Sequence, residues 1–338
     1  MKYIVVFIWV TVFCFAADAQ EQTAKLMQET ARILVQKGDF ENAIVVLERA
    51  KKQEPNNIEI LRDLCFANYL KREFARSIEV GKELTDKPEA DPQAFQLLGL
   101  SYKAIASYKE CGKLYRMALR KFPNSGVIYN EYAEVFALEN NMEEAIAQWE
   151  KGIELDPVYS SNYYNAAMYY VRKNNWLRAV LYGEIFLNLE SYTARTEEIK
   201  TQLFSAYKGI LAPGAIQQLM AVKTVSVFEK SILDVLTKAA ARTKVSGIDD
   251  LISIRTRFIL EWAQGKEKQF PFRLFVHQQY LLNQGLFEAY NYWLFSTAIS
   301  AELYEAWGKS YAKESEAFKA FQQSRVFKIP LGEYYFAR

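Results

Sequence analysis

Apolar residues recur along most of the chain every three to four positions and are interrupted by short polar turns. That is the spacing of amphipathic helices, not of strands. Aligned at an interval of 34 residues, the pattern sharpens into columns. Ala31, Cys65, Gly99, Ala133 and Ala167 fall in one, and Ala43, Ser77, Cys111, Ala145 and Ala179 in another. Phe40, Phe74, Tyr108, Met142 and Trp176 make a third, always large and apolar. Ten compact side chains in a chain with 22 Tyr, 22 Phe and 6 Trp mark places where two helices approach closely, because backbones meet only where the facing side chains are small. The bulky residue of the third column is expected to plug the open end of each helix hairpin. Pro55, Pro123 and Pro157 would stop the second helix of three hairpins, since proline cannot continue one. Glu89 and Ser191 take that place in the other two, with Asp91-Pro92 supplying a break soon after the first.

These columns, with Gly38-Asp39-Phe40-Glu41-Asn42-Ala43 and the Pro55 that follows, closely resemble the tetratricopeptide repeat. Five contiguous units in residues 20–193 keep its register: 24–57, 58–91, 92–125, 126–159 and 160–193. The fourth (Tyr129, Ala133, Ala145, Ile146, Trp149, Pro157) and the first are the best kept. Gly112, directly after Cys111, is a departure that should disturb the helix of the third unit. The fold the resemblance implies is all-α, a right-handed superhelix (an α-solenoid) of stacked helix hairpins. The column positions give Cys65 and Cys111 a structural task as compact apolar fillers, not a disulfide.

Beyond Ser191 the interval fades but helical patterning persists. Helices are expected over residues 197–211, 225–242, 247–264, 273–283, 287–297, 301–311 and 313–322, with breaks at Pro213-Gly214 and Phe270-Pro271-Phe272. Ser246 and Asp249 look like a capping pair. The adjacent acids Asp249 and Asp250 suit a first helical turn better than paired catalysis. Gln284-Gly285-Leu286-Phe287-Glu288-Ala289 echoes the repeat turn, shifted by one position. Residues 194–322 therefore read as degenerate hairpins that cap the stack, and 323–338 as an extended tail lying on the last helices. The stretch from Phe270 to Phe275, with Ala289-Tyr290-Asn291-Tyr292-Trp293-Leu294-Phe295, is similar to the tails of envelope repeat proteins of Bacteroidota-type bacteria, a resemblance that carries no activity.

Composition narrows the function. The formal charge is only +2, from 42 basic and 40 acidic side chains, with no basic stripe, so nucleic acid is not an expected partner. One histidine, His277, leaves no room for a multi-histidine metal site, and no Cys-x-x-Cys pair exists. His277 reads as a helix-surface or half-buried residue. No Gly-rich phosphate loop or activated nucleophile is visible, so neither a cofactor nor an enzymatic site is expected. Lys2, the apolar run from Ile4 to Phe15 and Ala17-Asp18-Ala19 read as a signal peptide over residues 1–19, cleaved after Ala19. Export to a periplasm follows, with no membrane segment left after cleavage. Cys14 is preceded by Phe13, which does not suit lipidation.

In the repeat family, first helices line the concave face and supply ligand contacts. Carried onto this sequence, those positions are Arg62, Phe66 and Tyr69, then Gln96, Leu100 and Lys103, then Asn130 and Glu134, then Tyr164, Asn165, Met168 and Arg172. Some of these, Phe66 and Leu100 above all, could equally pack between repeats. Asn130 and Asn165 match the carboxylate clamp of chaperone-binding members, but Val127 and Gln93 replace its lysines, so a C-terminal acidic peptide of that type is not expected. The function implied is a non-catalytic adaptor or scaffold that holds an envelope protein or peptide. A glycan-binding protein using exposed aromatics is the alternative, and an enzyme with its site in residues 194–338 the third reading.

Overall fold

The computed structural model describes residues 23–241, 243–324 and 326–335. The signal-peptide reading of residues 1–19 lies outside them. Among the described residues the chain is all-α, with no strand. It divides into two compact units, one ending at Asn141 and the other beginning at Met142. The division falls inside the fourth repeat.

The first unit holds a helix over residues 23–36 (α1), then Phe40–Gln53 (α2), Ile58–Leu70 (α3), Phe74–Thr85 (α4), Pro92–Ala104 (α5), Tyr108–Lys121 (α6) and Gly126–Leu138 (α7). Each hairpin packs on the next, α2 on α3, α4 on α5 and α6 on α7, which is the stacking of an α-solenoid. The second unit continues with Met142–Leu155 (α8), Ser160–Arg172 (α9), Trp176–Leu189 (α10), Ala194–Ile210 (α11), Ala215–Ala221 (α12), Val227–Ala240 (α13), Ile248–Gly265 (α14), Arg273–Asn283 (α15) and Phe287–Leu294 (α16). A short 3-10 turn, Ser296–Ala298, leads to Ala301–Ser310 (α17) and Ala312–Ser324 (α18).

All ten compact positions are buried. Across the second hairpin the Ser77 hydroxyl donates to the Cys65 carbonyl at 2.8 Å, and the Cys65 thiol lies 3.3 Å from the Ser77 carbonyl. Across the third, the Cys111 thiol meets the Gly99 carbonyl at 3.6 Å. Side chains this small are what let the two backbones come so near. The large column marks the first residue of α2, α4, α6, α8 and α10.

The turns are equally regular. Gly38, Arg72, Ala106, Asn140 and Asn174, again 34 apart, all have positive φ. The N–H after each left-handed residue reaches back five residues: Asp39 to Leu34, Glu73 to Asn68, Ser107 to Tyr102, Asn141 to Phe136 and Asn175 to Tyr170, all at 2.8–2.9 Å. This satisfies a carbonyl that the helix end leaves open. Gly285, at φ +71°, repeats the device between α15 and α16, with Leu286 N–H donating to the Leu281 carbonyl at 2.8 Å.

Four expectations need correction. Gly112 leaves α6 continuous, because a residue there faces nothing nearer than Arg116 at 3.5 Å. The cap of α14 is made by Asp250, which accepts from the Ser246 and Gly247 N–H groups, while Asp249 instead accepts from the Tyr292 hydroxyl. His277 is buried, among Phe327, Phe321 and Tyr290. The tail does not simply lie on the last helices. Tyr335 is 2 % exposed, its ring packed on Tyr182, Phe228 and Phe272 and its hydroxyl bonded to Glu229 at 2.7 Å.

Candidate partner-binding faces

In the first unit the first helix of each repeat faces the first helix of the next, and their polar residues meet in a recurrent pattern. Gln28 of α1 donates to Asp63 of α3 at 2.7 Å, and Gln96 of α5 donates to Glu131 of α7 at 2.8 Å. Both pairs join the fifth position of one repeat to the sixth of its neighbour. Arg32 adds a second bond to Asp63 at 2.7 Å. Arg62 pairs with Glu59 at 2.5 Å and with Asp91, the N-cap of α5, at 3.0 Å. Lys103 bridges Glu131 at 2.7 Å and Glu134 at 2.6 Å, and Asn130 donates to Glu134 at 3.1 Å. Glu131 also accepts from Tyr115 at 3.1 Å. Burial by itself would lower the Lys103 pKa, but Glu131 and Glu134 outweigh it and hold the ammonium above the ordinary lysine value.

The polar residues expected to await a ligand, Arg62, Gln96, Lys103, Asn130 and Glu134, are thus engaged with one another or with neighbouring acids. Asn130 is 3 % exposed. Leu100 is partly buried against the core. What remains open on this face is aromatic. Phe66 is 40 % exposed and stacks on Tyr69 with ring centres 6.4 Å apart, and Tyr69 leans on Phe74 at 5.9 Å.

In the second unit, Tyr164 of α9 donates to Glu198 of α11 at 2.5 Å, and its ring is covered by the Arg195 guanidinium at 5.0 Å. Burial, then the bond to Glu198, pushes its hydroxyl up to about 12. Asn165 and Met168 are half-buried, and Arg172 at the end of α9 is exposed. Each is on the helix the repeat register assigns.

A second set of polar residues, not singled out in the sequence, lies in the core of this unit. Glu184 of α10 is closed to solvent. One oxygen accepts from Arg255 (2.5 Å), Gln278 (2.5 Å) and Tyr290 (2.8 Å), and the other from Arg255 and Tyr207, both at 2.9 Å. Arg255 also bonds Asn291 at 2.6 Å. One carboxylate therefore ties α10 to α11, α14, α15 and α16. Burial pushes its pKa up, but the guanidinium and the phenols outweigh this and hold it below the usual carboxylate range. An acid kept ionised and sealed in this way orders helices and has no proton to give at neutral pH. Glu229 is a smaller copy, bonded by Arg178 (2.8 Å), Tyr335 (2.7 Å) and the Ser226 N–H (2.7 Å).

The signal for this cluster was present but faint. In each repeat the compact residues stand nine before and three after the large residue that opens the second helix. Counting from Phe287, those places hold Gln278 and Tyr290, two of the donors to Glu184. A polar and a bulky residue in the compact columns mark a hairpin opened around a buried charge. The thiols of Cys65 and Cys111 are pushed up by burial, to about 11 and about 12. Among the described residues no group of three or more His, Cys, Asp or Glu side chains is placed to hold a metal, and no helix is long and apolar enough to cross a membrane.

Residues 24–57 match the family model described as Tetratricopeptide repeat. No curated protein matches the chain. Among solved structures it is similar to a thermophilic TPR protein of Thermus thermophilus, at 17% identity and TM-score 0.44, over 54% of this chain and 98% of that one. It is similar to pilF of Pseudomonas aeruginosa at 15% identity and TM-score 0.46, over 64% and 99% of the two chains. YrrB, described as a TPR protein with an unusual peptide-binding site, is 16% identical with TM-score 0.37, over 56% and 97%.

Proposed function

We propose that the chain is a non-catalytic binding protein of the bacterial envelope, an adaptor that holds a peptide or partner protein on its first-helix faces. The apolar leader at the N-terminus motivates the location. The observation that carries the binding role is the Phe66–Tyr69 stack. On a face whose charges neutralise one another, a phenylalanine left 40 % exposed is the natural anchor for an apolar partner residue. The ion-pair ladder beside it fixes the spacing of α3, α5 and α7, so the anchor is presented on a rigid support. Tyr164 and Arg172 supply a corresponding face in the second unit.

A pull-down from envelope extract tests this. A protein that co-purifies with the chain should be lost on Phe66→Ala/Tyr69→Ala, and undiminished recovery with that variant would sink the reading. A sugar-binding role is the second reading, favoured by Tyr192 and Tyr311, which are 69 % and 46 % exposed in the second unit. Retention of the full chain on a polysaccharide resin, abolished by substituting those two tyrosines, would favour it over the adaptor.

A further inference from the structure

The segment after α18 carries a second surface on the second unit. Along residues 326–330 burial alternates: Phe327 and Ile329 are buried, while Val326, Lys328 and Pro330 are exposed. That is the two-residue period of an extended strand, in which side chains point alternately up and down and the peptide groups point sideways. The N–H and C=O groups of 326–329 make no backbone–backbone hydrogen bond with another of the described residues. Proline at 330 and the turn that follows, where Glu333 N–H donates to the Pro330 carbonyl at 3.1 Å, end the stretch.

This extended segment lines a cavity of about 750 Å³ in the second unit, together with Val158, Leu189 and Tyr192. Exposed apolar side chains gather here. Tyr192 is 69 % exposed, Val158 52 %, Val326 75 % and, just past the strand, Leu331 74 %. A concentration of this kind, rimmed by polar groups, is characteristic of a binding surface. Among the described residues lining the cavity, Lys328 is the one lysine, arginine or carboxylate group.

We propose that the cavity beside residues 326–329 binds an extended, apolar peptide segment of a partner protein by strand addition, with an acidic group of that segment opposite Lys328. Main-chain bonds to residues 326–329 supply affinity independent of sequence, and the space against Val158, Leu189 and Tyr192 selects alternate apolar side chains. The missing negative charge in the lining is supplied by the partner. The Phe66–Tyr69 face takes no part, so either surface can fail without the other.

A random-peptide library displayed on phage, panned against the full chain, tests this. Selected peptides are expected to alternate apolar residues and to carry an acid or a free C-terminus. Synthetic copies should weaken about tenfold on Lys328→Glu or Tyr192→Glu and be unaffected by Phe66→Ala. Both altered side chains are exposed, so circular dichroism should show unchanged folding. In hydrogen exchange, the bound peptide should protect the amides of residues 326–329. Copies N-methylated at alternate residues along one edge should not bind. Failure to select any peptide, binding indifferent to Lys328 and Tyr192, or N-methylated copies that bind as well, each overturns the proposal. Concentration-dependent dimerisation lost on Tyr192→Glu, with no peptide selected, would overturn it in favour of a second copy as occupant.

Discussion

At the level of single residues, the compact columns show both how much a sequence can reveal and where it stops. That position 99 must be small follows from its 34-residue partners. That it must be glycine does not, since Ala or Cys serves in the other units. The reason is the Tyr115 side chain, which crosses the hairpin to reach Glu131. A Cβ at residue 99 would lie 1.8 Å from the Tyr115 hydroxyl oxygen and 2.4 Å from its ring. Tyr115 is fully buried and cannot swing away without breaking that bond. Gly99→Ala should therefore cost about 1–3 kcal/mol, read as a lower urea midpoint at unchanged slope. Gly112→Ala, in the middle of α6 with its nearest neighbour at 3.5 Å, should instead gain about 0.5–1 kcal/mol by removing glycine's backbone freedom from a helix. Equal midpoints for the two variants would show that the third hairpin is looser than its contacts indicate. The charged partners were less legible. In the sequence Arg62 and Lys103 look like groups waiting for a ligand, because sequence shows a charge but not the neighbour that neutralises it. The 35-residue offset of Gln28 to Asp63 and Gln96 to Glu131 could have revealed the ladder.

Among the elements, the turn is the most faithfully repeated feature. Its left-handed residue is glycine only in the first of the five repeats, yet arginine, alanine and asparagine adopt the same conformation at the matching places. Packing and the five-residue reach of the next N–H hold them there against their own preference. Ala106, at φ +55°, has a Cβ that clashes with its own carbonyl and no side-chain bond to compensate. Ala106→Gly should stabilise the first unit by up to about 1 kcal/mol, and Gly38→Ala should destabilise it by about the same amount, both measured by denaturant melting. A loss on Ala106→Gly would mean that this turn is set by something other than backbone strain. The same turn explains why α15 and α16 were found from sequence, since Gly285-Leu286-Phe287 keeps its order. It also explains what was missed. The short helix α12, only 7 residues, has too few turns to show a period, and the destination of Tyr335 depends on a buried acid 106 residues away.

For the molecule as a whole, the two units differ in what stabilises them, and acid should tell them apart. The second unit buries Glu184 and Glu229, whose carboxyls Arg255 and Arg178 hold below the ordinary range against the opposing effect of burial. These groups release their protons more readily in the folded chain than in the unfolded one. Their contribution is fully present above the ordinary carboxyl pKa and is lost as pH falls toward the depressed folded values, because the unfolded chain then binds the extra protons. In the first unit the corresponding buried cation is Lys103, whose pKa is raised. Its contribution is full below the ordinary lysine pKa and is lost only in alkali. Glu79 and Glu110 of that unit are also held low, by Arg76 and Lys113, but they are fully exposed, where solvent screens the effect. Lowering the pH through and below the ordinary carboxyl value of about 4.3 should thus expose amides from Met142 onward before those of residues 23–141, as followed by hydrogen exchange with peptide resolution. Replacing Glu184 by Gln leaves Arg255 buried without its counter-charge and should cost the second unit about 3–5 kcal/mol at neutral pH, while shrinking its sensitivity to acid. If the first unit instead opens first in acid, or if Glu184→Gln lowers stability without flattening the acid profile, the carboxylate is not what binds these helices together.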